Sequence, residues 1–185
     1  FVELSVMGVG EAPFSLPSSS TRAGTFELAI RRAGSLTGYL FDHLGEGDTV
    51  GIRGPLGNGF PVDRFRGGDV LLVAGGLGMV PLRGLLQYIV DLSQHFGRIS
   101  LLYGSRTPDA VLFADELSSF AHRGDAVVRL AVDSTNDQPW DGEVWFVTQL
   151  VDRLKVDPGG TFAVCCGPPV FYKYVLERLV SKGFG

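Results

Sequence analysis

Cysteine is scarce in this sequence, and the little that is present excludes several kinds of site. The 185-residue chain has two cysteines, Cys165 and Cys166, which are neighbours. Neighbouring cysteines form a disulfide only with unusual backbone strain, so we predict two reduced thiols at the end of a buried strand. Two thiolates are too few for an iron–sulfur cluster, which needs four ligands, and no His/Cys spacing typical of zinc is present.

Basic clusters and long apolar runs are also missing. The formal net charge is −4 and no Lys/Arg cluster occurs, so we expect no nucleic-acid surface, because phosphate binding needs a concentrated basic patch. The longest apolar runs, such as residues 70–74, are far too short to span a bilayer, so no membrane insertion is expected. A composition of 45% hydrophobic and 19% charged residues is typical of one or two globular domains.

Residues 1–67 contain many turn-forming residues between short apolar segments. Short strands separated by Gly-rich turns are typical of a small β-barrel. The patterns predict strands over Phe1–Met7, Ala12–Leu16, Thr25–Arg31 and Asp48–Arg53, and one helix over Thr37–Leu44. Because the chain opens within a strand-like alternation and ends just after a helical pattern, we expect it to be a segment of a longer protein.

Residues 68–185 have a different rhythm, in which continuous apolar strands alternate with amphipathic helices. This alternation predicts a doubly wound α/β domain, with a parallel sheet that is covered on both faces. The predicted strands are Asp69–Ala74, Ile99–Tyr103, Ala126–Val132 and Thr161–Cys165, and the predicted helices are Pro81–Leu92, Ala114–Phe120, Val147–Leu154 and Val170–Val180.

A glycine-rich turn, Gly75–Gly78, joins the first strand of this second part to its first helix. Parallel sheets bind ligands at the carboxyl ends of their strands, where glycines let backbone N–H groups approach a pyrophosphate beside a helix N-terminus. Pro81 suits the first helical turn, but it stands where the usual dinucleotide fingerprint has a third glycine. A tight strand–helix turn without a ligand is therefore the alternative interpretation.

Three other short stretches have weak signals when taken singly. Gly54–Phe60 contains turn residues and is consistent with a simple domain junction. Residues 12–15 place Phe14 beside Ser15, which suits the stacking of a planar ring but is also typical of a core. Cys166 begins a Cys-Gly-Pro-Pro run at the end of the last predicted strand. We interpret its thiol as lining a cofactor pocket, because no Cys/His/Asn pattern supports a nucleophile.

These four stretches occur in an order that resembles the ferredoxin–NADP reductase superfamily, in which a flavin-binding barrel precedes a nicotinamide-binding domain. The sequence is most similar to the gamma subunits of cytoplasmic nickel–iron hydrogenases and sulfhydrogenases. It is also similar to a subunit of anaerobic sulfite reductase and to the electron-transfer subunit of dihydroorotate dehydrogenase. The resemblance implies a cytoplasmic oxidoreductase with FAD and NAD(P)H as cofactors. It also implies electron transfer to other redox subunits, such as an iron–sulfur protein or hydrogenase or reductase subunits, with a possible [2Fe–2S] cluster ligated after residue 185.

The resemblance also assigns roles to particular residues. In the superfamily, the positions of Phe14 and Ser15 pack against the flavin ring and hydrogen-bond its N5 edge, and the position of Cys166 lies beside the nicotinamide ring, so Ser15 and Cys166 are the expected catalytic positions. The usual phosphate-binding Arg is replaced by Ala12, and Thr37 is expected to compensate. The cofactor-binding residues so predicted are Pro13, Phe14, Ser15, Ile30, Arg31, Gly34 and Thr37 for the flavin, and Gly75, Gly76, Gly78, Pro81, Cys166, Gly167 and Pro168 for the dinucleotide.

Two questions stay open at this level. Arg106 favours NADP and Asp133 favours NAD, since charge near the ribose 2′ position discriminates the two, and we favour NAD. The loss of Arg at Ala12 fits a cofactor-free scaffold subunit as an alternative, and a stand-alone NAD(P)H:flavin or acceptor reductase is another. Because the family's first barrel strands would precede Phe1, we expect residues 1–185 alone to bind flavin poorly.

Overall fold

The computed structural model describes residues 1–185. Residues 1–67 contain a three-stranded antiparallel sheet. Strand β1 (Val2–Val6) lies between β2 (Gly10–Phe14) and β3 (Gly51–Arg53) and pairs with both. Helix α1 (Ser35–His43) lies between β2 and β3 in the sequence. The structure therefore has three paired strands in the region for which a β-barrel is predicted.

The predicted strand over Thr25–Arg31 is wrong, because these residues pair with no other strand. A strand needs a neighbour for its backbone hydrogen bonds, and local alternation alone does not supply one. The segment is instead attached through single contacts, such as the Glu27 N–H donating to Ser18 Oγ over 3.0 Å. Strand β2 ends at Phe14 rather than Leu16, because Phe14 pairs with Val2, the first residue of β1.

The second part of the chain forms the parallel sheet that the sequence predicts. The sheet has five strands in the order β7-β6-β5-β4-β8, and all neighbours are parallel. The short strand β7 was not predicted. In chain order the elements are β4 (Asp69–Gly75), α2 (Met79–Asp91), β5 (Ile99–Ser105), α3 (Ala114–Arg123), β6 (Val127–Val132), β7 (Glu143–Val144), α4 (Val147–Asp152), β8 (Thr161–Cys166) and α5 (Pro169–Ser181).

Helices cover both faces of this sheet. Val70 and Leu72 of β4 pack with the buried residues of α2 and α3, whereas Leu71 and Val73 pack with those of α4 and α5. Because alternate residues of a strand point to opposite faces, two covered faces explain the continuous apolar run of β4. The longest helices, α2 and α5, have 13 residues each, and none of the helices combines the length and apolar character needed to cross a membrane.

Helix α2 also contacts the N-terminal part of the chain. The backbone of residues 16–19 runs along it, with the Ser19 N–H donating to Gln87 Oε1 over 3.0 Å. An ideal Cβ on Gly84 would lie 2.9 Å from the Leu16 carbonyl oxygen, so only glycine permits this approach. One face of α2 thus packs on the sheet, and another holds residues 16–19.

The close approach at Gly84 generates a stability prediction. We expect Gly84→Ala to lower the free energy of unfolding by about 1–3 kcal/mol, because the new methyl group must displace the backbone at Leu16. Gly38→Ala in α1 is the matched control, since its Cβ would meet no atom within 4 Å, and we expect it to stabilise the chain by up to about 1 kcal/mol. Urea denaturation of both variants checks the prediction, and equal stabilisation of the two would contradict it.

Candidate functional site

A cavity of about 510 Å³ opens at the carboxyl edge of the parallel sheet. Strands β4 and β5 end at its wall, and the residues that follow β6 and β8 contribute to it. It is lined by Gly75, Gly76, Gly104, Ser105, Arg106, Asp133, Phe146, Val147, Thr148, Pro168, Val170, Phe171, Tyr174 and Val175. The structure therefore brings together five of the predicted site residues, which are Gly75, Gly76, Arg106, Asp133 and Pro168.

Glycines at 75 and 76 serve different physical purposes. An ideal Cβ on Gly75 would lie 2.6 Å from the Phe171 ring, so glycine is needed for α5 to pack against the strand end. Gly76 has a φ of +53°, in the left-handed region that favours glycine, and its Cβ would meet nothing within 4 Å. At Gly76 the wall of the cavity is therefore bare backbone in a conformation that other residues rarely adopt.

Gly78 and Pro81 do not line the cavity. A Cβ on Gly78 would overlap the carbonyl of Cys166 and lie 2.7 Å from the Gly167 nitrogen. Gly78 therefore lets the start of α2 contact the peptide that follows β8. Pro81 is the third residue of α2, where its missing N–H has no partner within the helix, as the sequence predicts. The glycine run thus forms one cavity wall and one backbone-to-backbone contact.

Cys165 and Cys166 point to opposite faces of the sheet. Cys165 packs with the core beneath α4 and α5, and Cys166 packs with the core beneath α2. Burial raises the pKa of the Cys166 thiol, although a hydrogen bond with Tyr172 lowers it in part. Burial, and then the neighbouring Cys166, raises the pKa of Cys165 to about 11. Both side chains are therefore neutral thiols near pH 7, and neither is an activated nucleophile.

Arg106 and Asp133 lie side by side in the cavity wall. The Asp133 N–H donates to the Ser105 carbonyl over 3.0 Å, and the Ser134 N–H donates to the Arg106 carbonyl over 3.1 Å. Burial raises the pKa of Asp133, and the charge of Arg106 offsets this in part. The cavity thus holds both charges from which the sequence predicts opposite coenzyme preferences.

None of the predicted flavin residues lines this cavity. Phe14 ends β2 and Ser15 follows it, and both are half-buried. Ile30 is also half-buried, whereas Pro13, Arg31 and Gly34 are exposed. The Thr37 hydroxyl accepts hydrogen bonds from the N–H groups of Ala33 and Gly34, each over 2.9 Å. It is therefore already engaged at the start of α1.

Residues 16–19, which follow Phe14 and Ser15 in the sequence, contact helix α2. Leu16 approaches Gly84 and Ser19 bonds to Gln87, so the segment runs in the same direction as α2. Phe14 and Ser15 directly precede this segment in the sequence, and Gly75–Gly78 directly precede α2.

Several residues of the cavity were not predicted from the sequence. Ser105 ends β5, Phe146 and Thr148 lie at the start of α4, and Phe171 and Tyr174 lie in the first turns of α5. The available signal was the rule that strand ends and the helix starts that follow them face the ligand edge of a parallel sheet. Applied to every strand, that rule identifies these positions.

Comparison with known proteins identifies a family. The family described as "Oxidoreductase NAD-binding domain" matches residues 72–177. Sulfhydrogenase 1 subunit gamma of Pyrococcus furiosus is 40% identical over 185 residues, which are 100% of this chain and 63% of that protein. A probable dihydroorotate dehydrogenase B (NAD(+)) electron transfer subunit of Pyrococcus abyssi is 34% identical over 177 residues, covering 96% of this chain and 61% of that protein.

The structural comparison agrees with the sequence resemblance. The ferredoxin reductase in carbazole 1,9a-dioxygenase has the same fold, with a TM-score of 0.80 at 24% identity, covering 100% of this chain and 56% of that one. The predicted likeness to ferredoxin reductases and to sulfhydrogenase gamma subunits is confirmed. The chain spans less than two thirds of the length of these proteins.

The raised thiol pKa values generate a labelling prediction. At pH 8 we expect iodoacetamide to modify Cys165 and Cys166 in the native chain at least tenfold more slowly than in urea, because only the thiolate reacts. The rate at Cys165 should rise as the pH approaches about 11. Tandem mass spectrometry distinguishes the two sites, and rapid native labelling of Cys166 at pH 8 would contradict the assignment of a neutral thiol.

Proposed function

Since this chain belongs to the oxidoreductase NAD-binding domain family, we propose that it transfers electrons between NAD(P)H and a redox partner through FAD. Residues 68–185 form the nicotinamide-dinucleotide domain in this proposal. Residues 1–67 form part of a flavin-binding β-barrel domain. The observation that carries the proposal is the cavity at the carboxyl edge of the sheet, with bare backbone at Gly76 in its wall.

The cavity suits one part of a dinucleotide. Its volume of about 510 Å³ is in the usual range for small-molecule sites. At Gly76 no side chain fills the space beside the backbone, so a pyrophosphate has room to approach the N-terminus of α2, where the helix dipole favours negative charge. Phe146, Phe171 and Tyr174 supply apolar and aromatic surface for the rest of the ligand.

In this proposal the two parts of the dinucleotide lie on opposite faces of the sheet. We place its adenosine part in the cavity and its nicotinamide ring near Cys166, with Gly167 and Pro168 as the turn between the two places. Cys166 packs on the same side of the sheet as α2, and α2 carries the segment that follows Phe14 and Ser15. The nicotinamide and the flavin ring therefore meet at the N-terminal end of α2.

The protein positions and shields the reactants in this scheme. Phe14 would pack on the flavin ring and the Ser15 hydroxyl would donate a hydrogen bond to its edge, while the neutral Cys166 thiol would contact the nicotinamide without attacking it. Pro13, Ile30, Arg31, Gly34 and Thr37 complete the flavin and phosphate contacts. Because the Thr37 hydroxyl is engaged with Ala33 and Gly34, we assign the phosphate charge mainly to Arg31. A bound flavin supplies the exchange between two-electron and one-electron chemistry.

The partner is proposed from the names of the relatives. Those relatives are a sulfhydrogenase gamma subunit and an electron transfer subunit, and both names describe parts of larger assemblies. We propose that this chain likewise serves other redox subunits in the cytoplasm, among them an iron–sulfur protein or hydrogenase or reductase subunits. A [2Fe–2S] cluster, if used, is ligated outside residues 1–185.

The visible spectrum tests the proposal. We expect the full-length protein, rather than residues 1–185 alone, to purify with the two flavin absorption bands, and we expect NADH to bleach them under anaerobic conditions. A full-length protein without flavin absorbance, even after incubation with FAD, would support the cofactor-free scaffold suggested by Ala12. Full turnover by the isolated chain with a soluble acceptor, and with no partner subunit, would support the stand-alone reductase.

The adjacent charges at Arg106 and Asp133 generate a prediction about coenzyme choice. We propose NAD as the coenzyme, because the Asp133 carboxylate repels a 2′-phosphate. Asp133→Asn should raise the ratio of kcat/KM for NADPH to that for NADH by about tenfold, which corresponds to about 1.4 kcal/mol. Asp141→Asn, an exposed acidic residue of the same loop, is the matched control. An unchanged ratio in Asp133→Asn would show that this carboxylate does not face the ribose.

A further inference from the structure

Arg83 is a buried cation in the second turn of α2 that joins three separate parts of the chain. Its side chain is only 11% exposed. Nη1 donates to Glu27 and to the Pro17 carbonyl, the latter over 3.4 Å, and Nε donates to Glu116 of α3. Its guanidinium carbon stands 4.5 Å from the centre of the Phe113 ring. No other salt-bridged arginine in the structure is buried to this extent.

The Arg83 guanidinium is protonated in this position. Burial by itself lowers the pKa of the guanidinium, but the hydrogen bonds and charges of Glu116 and Glu27 outweigh it and raise the pKa. A planar guanidinium presents several N–H groups in a fixed fork, so it can bond two carboxylates and a carbonyl at once. A lysine ammonium at this place has no such fixed fork.

Gln87, one turn further along α2, also connects the N-terminal segment to Glu116 of α3. Its Oε1 accepts the Ser19 N–H over 3.0 Å, and its Nε2 donates to Glu116 Oε1 over 2.6 Å. Residues four apart lie on the same face of a helix, so this face of α2 holds residues 17–19 on one side and α3 on the other. Gly84 between them allows the backbone at Leu16 to approach. The register of this segment on α2 is thereby set at several points.

These contacts are close in sequence to both halves of the proposed site. Pro17 is two residues after Ser15, and Arg83 is five residues after Gly78, or about 7.5 Å along a helix that rises about 1.5 Å per residue. Because α2 is anchored to the sheet by Leu82, Leu86 and Ile89, a shift of residues 14–19 relative to Arg83 is also a shift relative to the Gly75–Gly78 turn.

We propose that Arg83 is a positioning residue for hydride transfer, which rests on the function proposed above. Through Pro17 and Glu27 it sets where Phe14 and Ser15 lie relative to Gly75–Gly78, and hence how closely the nicotinamide and flavin rings meet. With both cofactors bound, the transfer would move a hydride, one proton with two electrons, from the reduced nicotinamide to flavin N5, so that the nicotinamide is oxidised and the flavin is reduced. Arg83 itself touches neither reactant.

The test measures cofactor binding and hydride transfer separately in the full-length protein. We expect Arg83→Met to retain its flavin and to bind NADH within about twofold of the wild type, but to reduce flavin at saturating NADH at least tenfold more slowly in anaerobic stopped-flow. Misplacement of reactants by about 1 Å can cost a factor of 10². Arg83→Lys should fall between Arg83→Met and the wild type. A residue needed only for stability would lower flavin content and melting temperature, with no change in the transfer rate of the folded fraction.

Two further variants keep the test decisive. Glu27→Gln removes only the N-terminal ion pair and leaves the α2–α3 contact intact. Glu27 is 59% exposed, so this variant should fold normally and still transfer at least threefold more slowly. Arg123→Met is the matched control, because Arg123 also bonds a carboxylate, Asp125, and stands over an aromatic ring, Phe120. Its contacts stay within α3 and the next turn, so its transfer rate should equal that of the wild type.

The wild-type measurement distinguishes a failure of the positioning role from a failure of the proposed function. Wild-type reduction by NADH, together with unchanged transfer rates in both Arg83→Met and Glu27→Gln, would overturn the positioning role and leave the proposed function standing. Failure of both NADH and NADPH to reduce wild-type flavin would overturn the proposed function, and the positioning role with it.

Discussion

The contact between helix α2 and residues 16–19 is the constraint on which the rest of the molecule depends. Helix α2 is anchored by its apolar face to the parallel sheet. A neighbouring side carries Arg83 and Gln87, whose hydrogen bonds reach the N-terminal segment and α3. Burial of an arginine is costly unless every charge is partnered, and here two carboxylates and a carbonyl provide the partners. The two parts of the chain are thus joined by polar contacts of defined geometry.

The candidate site depends on glycines, at which no side chain occupies the space beside the backbone. Gly75 and Gly104 make room for Phe171 and Val147, and Gly78 makes room for the peptide after Cys166. These three glycines bring helices close to strand ends. Of the three glycines in the Gly75–Gly78 turn, only Gly76 has open space where a side chain would be. The glycines of one run therefore have different structural roles. The sequence does not show which glycine faces a ligand and which one packs against the protein.

Much of the second part of the chain was predictable from its pattern, and less of the first part. Two-sided burial produces continuous apolar strands such as Val70–Ala74, and a helix that covers them repeats its apolar residues every three or four positions, so both signals are local. The alternation at Thr25–Arg31 is just as regular, yet it forms no strand because no neighbouring strand pairs with it. Pairing is a property of distant residues, and a local pattern cannot contain it.

The sequence by itself determined the parallel α/β domain, the family resemblance and the identity of the glycine, cysteine and charged residues at the strand ends. The tertiary structure alone decided that Arg106 and Asp133 share one cavity wall, and that Cys166 faces α2 while Cys165 faces α5. It alone decided that Arg83 joins Glu27 to Glu116, residues 56 and 33 positions away. Such contacts arise from the packing of whole elements, which no short stretch of sequence specifies.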